Sequence, residues 1–329
     1  MLAATARTRL ALAPTASSSA LRAFSTSPAV ARDVKNVTVF GAGLMGAGIA
    51  QILAHKGGYN VTLTDVTDKA VANGQKIISK SLTRIAKKKM ADKGEEEQAK
   101  FVKGIVDSIN VTTDAGKAVE STDLVIEAII ENVGIKQELF KFLDQKAPKE
   151  AIFASNTSSL SITDIAKSVQ RKELFGGFHA FNPAPQMPLV EIVRTKETTD
   201  DAFNSLMDVA RKSGKTPVAC VDSPGFIVNR LLVPYMLEAI RLVERGEATP
   251  KDVDTAMKLG AGYPMGPFEL SDLVGLDTLS HIAKGWRDSR VATGEISAEM
   301  VAETPLLEKL VSEGRLGKKS EKGGFYPNN

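Results

Sequence analysis

From residue 34 the chain alternates short apolar runs with stretches whose apolar positions recur every three or four residues. The short runs fall at 36–40, 60–64, 108–112, 124–128, 152–155, 174–179, 189–194 and 216–221. Their length and β-branched content predict strands, and the stretches between most of them predict amphipathic helices. Such alternation specifies an α/β doubly wound sheet. A long insertion separates the second and third runs. Ile78, Leu82 and Ile85 keep helical spacing as far as Lys87, Lys88 and Lys89, a charged segment at 91–98 turns the chain, and Phe101, Ile105 and Ile109 continue beyond it. This predicts a helical-hairpin insertion with a charged tip.

The pattern changes at Asp222-Ser223-Pro224-Gly225. Asp222 or Ser223 is expected to cap a helix over 226–243, with Pro224 in its first turn and Pro234 kinking it. Ile227, Leu231, Leu232, Met236 and Ile240 make this helix apolar nearly all round, so it should be buried on several sides. Further helices are expected at 251–259, 268–286 and 306–313. The division is therefore a sheet domain over 33–222 and an all-helical C-terminal domain over 223–329. The apolar excess of the latter suits either a dimer interface or a core of its own.

Residues 1–32 read differently. They carry Arg7, Arg9, Arg22 and Arg32 among many Ala and Ser, with no acid before Asp33, as mitochondrial transit peptides do. Lys+Arg totals 42 against 39 acids, and setting those four arginines aside leaves 38 against 39. The basic excess thus belongs to the leader, and nothing in the charge balance calls for a nucleic-acid partner. The single cysteine, Cys220, excludes an intramolecular disulfide and sits in an apolar run, as a small core residue would. No apolar run reaches membrane-spanning length.

The first strand leads into Gly41-Ala42-Gly43-Leu44-Met45-Gly46, and a second strand ends at Asp65, nineteen residues after Gly46. Strand, glycine turn, helix and strand-end acid together form the Rossmann-type dinucleotide fingerprint. Gly41 allows the tight turn, Gly43 the approach of a pyrophosphate, and Gly46 the close packing of the helix. Asp65 would accept both ribose hydroxyls of an adenosine and repel a 2′-phosphate. The expected cofactor is NAD.

Proton chemistry narrows the reaction. Of three histidines, His55 is expected on the solvent face of the first helix and His281 on a helix of the second domain. His179 ends a strand and is followed by Asn182-Pro183-Ala184-Pro185, which stops further pairing and leaves the ring at an open strand end. Glu191 interrupts another apolar run and needs a partner if buried. Adjacent strands would bring it to His179, fixing the imidazole tautomer. The run from Ser155 to Ser159 either caps the next helix or bonds a substrate. Asn229, on the apolar helix, is either a satisfied core amide or a ligand contact.

Over about residues 37–326 the chain closely resembles the short-chain L-3-hydroxyacyl-CoA dehydrogenases, NAD-dependent mitochondrial enzymes of fatty-acid beta-oxidation. The resemblance rests on the Gly41 to Gln51 turn and helix, Glu127-Ala-Ile-Ile-Glu-Asn132, Ser155-Asn-Thr-Ser-Ser159, His179-Ala-Phe-Asn-Pro183, Pro224-Gly-Phe-Ile-Val-Asn-Arg230, Lys258 to Pro267, and Gly317-Lys-Lys319 with Gly324-Phe-Tyr326. It implies a mitochondrial-matrix homodimer without a metal. His179 would be the general base, oriented by Glu191, with Ser158 and Asn229 holding substrate oxygens. Leu44, Met45, Glu131, Lys136, Asn182 and Lys319 would join the glycine turn and Asp65 around NAD. Ser81 and Lys88, on the helical insertion, would contact coenzyme A. The chain departs from mitochondrial members at Ala180, where they carry an aromatic, a change expected to affect acyl-chain fit. Two other readings compete: a free hydroxy-acid dehydrogenase resembling the lambda-crystallin branch, and a noncatalytic NAD-binding protein. Dependence on the CoA moiety excludes the former, and turnover excludes the latter.

Overall fold

The computed structural model describes residues 31–328, so the leader lies outside the described residues except at its last two positions. The sheet half contains β1 (Asn36–Phe40), α1 (Leu44–Ile52), β2 (Asn60–Thr64), α2 (Asp68–Lys89), α3 (Glu95–Asp107), β3 (Ile109–Thr112), α4 (Ala115–Val119), β4 (Leu124–Glu127), α5 (Val133–Asp144), β5 (Ile152–Ser155), α6 (Ile162–Ala166), β6 (Phe175–Ala180), β7 (Leu189–Arg194), α7 (Asp200–Lys212) and β8 (Thr216–Val221). All eight expected strands form, with ends shifted by no more than one residue. They make one sheet in the order β3-β2-β1-β4-β5-β6-β7-β8. Strands β1 to β6 run parallel, β7 turns antiparallel to β6, and β8 runs parallel to β7.

The sheet buries both faces, as expected of strands covered by helices. Val39, Leu63, Ile126, Phe178 and Ile192 lie in a cluster with Ile49 and Leu53 from the first helix and Leu206 from α7. Phe40, Val125, Phe153 and Phe175 face the opposite layer, with Phe140 of α5 and Ile165 of α6. The hairpin forms as α2 and α3. Thr67 caps α2 by accepting from the Ala70 amide, and Ile78 and Leu82 anchor α2 in the core. Lys87, Lys88 and Lys89 occupy its last turn, while Glu95, Glu96 and Glu97 occupy the first turn of α3, each charge set matching its helix end.

The helical half contains α8 (Val228–Glu244), α9 (Pro250–Ala261), α10 (Pro267–Val274), α11 (Leu276–Arg290) and α12 (Pro305–Ser312) around a core that includes Val233, Leu237, Phe268, Leu279 and Trp286. Four expectations need correction. The helix foreseen over 268–286 is two helices, because Gly275 takes φ +101° and breaks it. Asp222 does not cap α8. Its carboxylate turns back to α6, accepting from the Ser161 hydroxyl and the Ile162 and Thr163 amides. Helix α8 is not buried all round: Leu231 stays 68% exposed. His55 is half-buried in the π-helical turn after α1, with its ring edge-on to Phe101 at 5.3 Å; burial, reinforced by Lys56 and Lys89, pushes its pKa below the usual value.

Arg32, placed by the sequence in the leader, already belongs to the body. Its guanidinium pairs with Asp201 and donates to the Glu150 carbonyl, and its amide donates to Ser205 Oγ.

Candidate active site at the open ends of the strands

The nucleotide turn is built by backbone sterics. Gly41 has φ +95°, and a side chain there would strike the Ala128 carbonyl. Gly46 sits against the Gly41 carbonyl, which brings α1 onto the end of β1. The side-chain position of Gly43 faces open space, with nothing within 4 Å. An anion can therefore approach the amides that open α1, where Leu44 and Met45 form the first turn. Asp65 ends β2 with both oxygens turned to the backbone, accepting from the Ala42 and Val66 amides at 2.7 Å each. Leu44, Val66 and Ile130 follow neighbouring strand ends and are all exposed, an apolar rim suited to flat rings. An anion cradle, a strand-end carboxylate and an apolar rim fit a dinucleotide.

The antiparallel turn from β6 to β7 sets the second part of the site. It places His179 directly opposite Glu191, so both side chains share one face. His179 Nδ1 lies 2.7 Å from Glu191 Oε2, and Nε2 lies 3.1 Å from Ser158 Oγ. Both His179 and Glu191 are buried. The other carboxylate oxygen, Oε1, accepts from the amides of Ile227 and Val228 at 3.0 and 2.9 Å, where α8 begins. Glu191 is thus occupied on both oxygens and can only accept. That assigns the Nδ1 proton to the Glu191 contact and leaves Nε2 with its lone pair toward the Ser158 hydroxyl. Phe181 and Phe226 wall the ring at centroid distances of 4.5 and 5.4 Å. Asn229 Nδ2 donates to the Ser158 carbonyl at 3.3 Å, joining α8 to the serine run.

A third group was only partly visible in the sequence. Lys136 is 1% exposed, although it sits in the first turn of a helix, and it pairs with the fully buried Glu127 at the end of β4. Glu127 also accepts from the Ile129 amide at 2.7 Å and the Ser155 hydroxyl at 2.6 Å. The same lysine lies 3.3 Å from Glu131. Glu131 in turn accepts from the Thr157 hydroxyl at 2.5 Å and from the Ser158 and Ser159 amides. Burial pushes the Glu131 carboxyl upward, but Lys136 and these hydrogen bonds outweigh it and hold the group below the usual range. The network shapes the loop that carries Ser158. Its central residue, Glu127, had a signal: a carboxylate closing the apolar run Leu124-Val125-Ile126.

The remaining candidates are spread more widely. Asn182 is exposed, just past the end of β6. Lys319 lies in the helical half, paired with Asp277 at 2.5 Å and donating to the Thr278 hydroxyl at 3.3 Å. Ser81 and exposed Lys88 lie two turns apart on α2, hence on one face. Ala180 alternates to the opposite side of β6 from His179. Its 4% exposed methyl sits in the core with Ala184 and Val190, so the missing aromatic changes packing there and not the wall beside His179. Cys220 is buried, and burial, with Glu191 and Asp222 nearby, pushes its thiol up to about 12, so it is no nucleophile near neutral pH. Among the described residues, no group of three or more His, Cys, Asp or Glu is placed to hold a metal, and no helix is long and apolar enough to cross a membrane.

Both halves of the chain match known proteins. Residues 36–223 match the family model described as 3-hydroxyacyl-CoA dehydrogenase, NAD binding domain, and residues 225–327 match the model for its C-terminal domain. The mitochondrial hydroxyacyl-coenzyme A dehydrogenase of Homo sapiens is 53% identical over 302 residues, which covers 89% of this chain and 91% of that protein. A probable 3-hydroxybutyryl-CoA dehydrogenase of Bacillus subtilis is 42% identical, with coverage of 89% and 97%. Among solved structures, (S)-3-hydroxybutyryl-CoA dehydrogenase PaaH1 from Ralstonia eutropha superposes with a TM-score of 0.81 at 36% identity, covering 90% of this chain and all of that one. With both halves matched in order along nearly its whole described length, the chain belongs to the 3-hydroxyacyl-CoA dehydrogenase family.

Proposed function

We propose that the protein oxidises the 3-hydroxyl of L-3-hydroxyacyl-CoA esters to a ketone, with His179 as general base. The observation that carries this reading is the buried His179–Glu191 pair, whose second nitrogen faces Ser158 at the same edge of the sheet as the nucleotide turn. NAD supplies the hydride acceptor. As the C3–H electron pair leaves as hydride, the hydroxyl proton passes to His179 Nε2 and the C3–O bond becomes a carbonyl. Removing the hydroxyl proton alone is steeply uphill near neutral pH; coupling it to hydride departure, with the base already positioned, lowers that cost. Glu191 holds the Nδ1 proton and stabilises the imidazolium that forms. Ser158 and Asn229 orient the substrate oxygens. Asp65 and the turn from Gly41 to Gly46 hold the dinucleotide with Glu131, Lys136, Asn182 and Lys319.

The test supplies the protein with NADH and acetoacetyl-CoA and follows NADH absorbance beside an equal reaction with free acetoacetate. Oxidation with the CoA ester alone supports the reading. Folded, NADH-binding protein that leaves the ester untouched overturns it and directs attention to free hydroxy acids.

The coenzyme A handle is read onto α2. The Lys88 side chain is exposed and has no hydrogen bond or ion pair to another described residue, so its replacement should cost the fold little. Lys88→Ala is expected to raise the KM for acetoacetyl-CoA roughly three- to tenfold, the scale of one charge-assisted contact to phosphate, with KM for NADH unchanged. Equal KM values for the ester in both proteins would return this lysine to the solvent.

The division at 222/223, the matrix location and the homodimer belong to the same reading. The mitochondrial relative and the arginine-rich, acid-free leader support import. Leu231 of α8 and Leu259 of α9, 68% and 84% exposed, support a second copy covering these side chains. Sedimentation should give twice the chain mass, and Leu231→Glu should shift the protein toward monomer. A wild-type monomer at micromolar concentration would exclude the dimer.

A further inference from the structure

The segment between β6 and β7, residues 181–188, has no ladder partner of its own, yet it begins two residues after His179. Three contacts give it a shape. The Pro183 carbonyl accepts from the amides of Gln186 and Met187 at 2.9 and 3.0 Å, closing a turn. Ala184 is buried against α1: a methyl added at Gly48 would come within 3.0 Å of the Ala184 methyl and 3.1 Å of Pro185. The third contact is a cation. Lys215 Nζ donates to the Ala184 carbonyl at 2.5 Å and to the Met187 carbonyl at 2.8 Å.

Lys215 is itself fixed from both sides. Its amide donates to the Ala210 carbonyl as α7 ends, and the next amide, Thr216, donates to the Pro188 carbonyl as β8 begins. The side chain therefore leaves a rigid corner and crosses to the loop. Burial pushes its ammonium below the usual lysine range, consistent with water having been exchanged for two carbonyls. No role in the reaction described above uses this residue.

We infer that Lys215 is a positioning residue for the dehydrogenase reaction: by bridging the Ala184 and Met187 carbonyls, it holds the 181–188 loop so that Phe181 stays against the His179 ring and Asn182 stays just past the end of β6, where the proposed function has it meet the cofactor. The inference rests on His179 as the base and on Asn182 beside the cofactor. Phe181 touches the ring at a centroid distance of 4.5 Å, and the loop is seated on the helix that the glycine turn opens, so the lysine joins both halves of the chemistry without touching either. The need for an ammonium is specific. One methionine-length side chain would fill the volume but leave two converging carbonyls without donors, one of them on a buried residue.

The experiment compares the full-length wild type with Lys215→Met and Lys215→Arg, using acetoacetyl-CoA with NADH or with NADH deuterated at the transferred position. Lys215→Met is expected to lower kcat roughly 10- to 100-fold, the range for displacing reacting groups by about an ångström. KM for the ester should stay near wild type, the melting temperature should fall only by the few degrees that an orphaned carbonyl costs, and the isotope effect on kcat should rise as hydride transfer becomes slower. Lys215→Arg keeps the charge and donors and should recover most of the loss. Unchanged kcat in Lys215→Met overturns the inference. So does a fall in kcat matched by a fall in melting temperature and a rise in both KM values, with no change in isotope effect, because that pattern describes a fold contact only. Wild-type turnover in the same assay tests the underlying reading, so the two failures are distinguishable.

Discussion

Replacing Glu191 by glutamine is expected to lower kcat by about 10³-fold, within the range for general-base catalysis and for misassigned imidazole tautomers. The hydrogen bonds at the far side of the carboxylate are the reason. Glu191 Oε1 accepts from two amides at the start of α8, and only an oxygen can continue to do so. The glutamine must therefore turn its NH₂ group toward His179 Nδ1. That group donates, so Nδ1 becomes the acceptor and the ring proton moves to Nε2, the nitrogen that should receive the substrate proton. NADH affinity should hardly change, because the nucleotide turn lies on other strands. Turnover within threefold of wild type in a folded variant would remove Glu191 from the mechanism.

The second large effect concerns stability. Lys136→Met should destabilise the protein by about 3–5 kcal/mol, the cost of leaving one member of a buried ion pair without its partner. Glu127 would keep the Ile129 amide and Ser155 hydroxyl but lose its only cation among the described residues. Glu127→Gln with Lys136→Met should recover part of the loss, since the buried 127/136 pair is then neutral and of similar volume while Glu131 still lacks its cation. Urea unfolding of the single and double variants measures both. A single variant as stable as wild type would mean that the buried charge has another route to neutrality.

The periodicity of the chain made the architecture legible. Alternation between short β-branched runs and helical spacing located every strand, and the glycine turn with Asp65 marked the nucleotide end. His179 and Glu191 were also legible as a pair, because a carboxylate inside Leu189-Val190-Ile192-Val193 has no reason to be there unless something across the sheet needs it. What escaped depended on packing at a distance. Gly275 breaks the 268–286 stretch through a positive φ, which an apolar spacing does not encode. Asp222 reads as a cap for a helix expected from 226, but α8 starts at Val228 with Ile227 in the cap position, and the carboxylate serves α6 instead. Lys136 was expected beside NAD from the resemblance alone, and its burial was not legible, because burial of a charge depends on a partner nine residues earlier, on another element. Lys215 gave no signal at all, since two carbonyls converge on it only after β7 and β8 pair.

The same two amides that constrain Glu191 have a practical consequence. Ile227 and Val228 donate their amides to the Glu191 carboxylate from the helical half, so their N–H groups are built-in probes of it. In an amide-resolved NMR spectrum their shifts should respond together to the charge on Glu191. Their hydrogen exchange should accelerate whenever the two halves part, even if each half remains folded. Separating the halves would strip the imidazole of its orientation before any strand of the sheet came undone, so inactivation should precede unfolding.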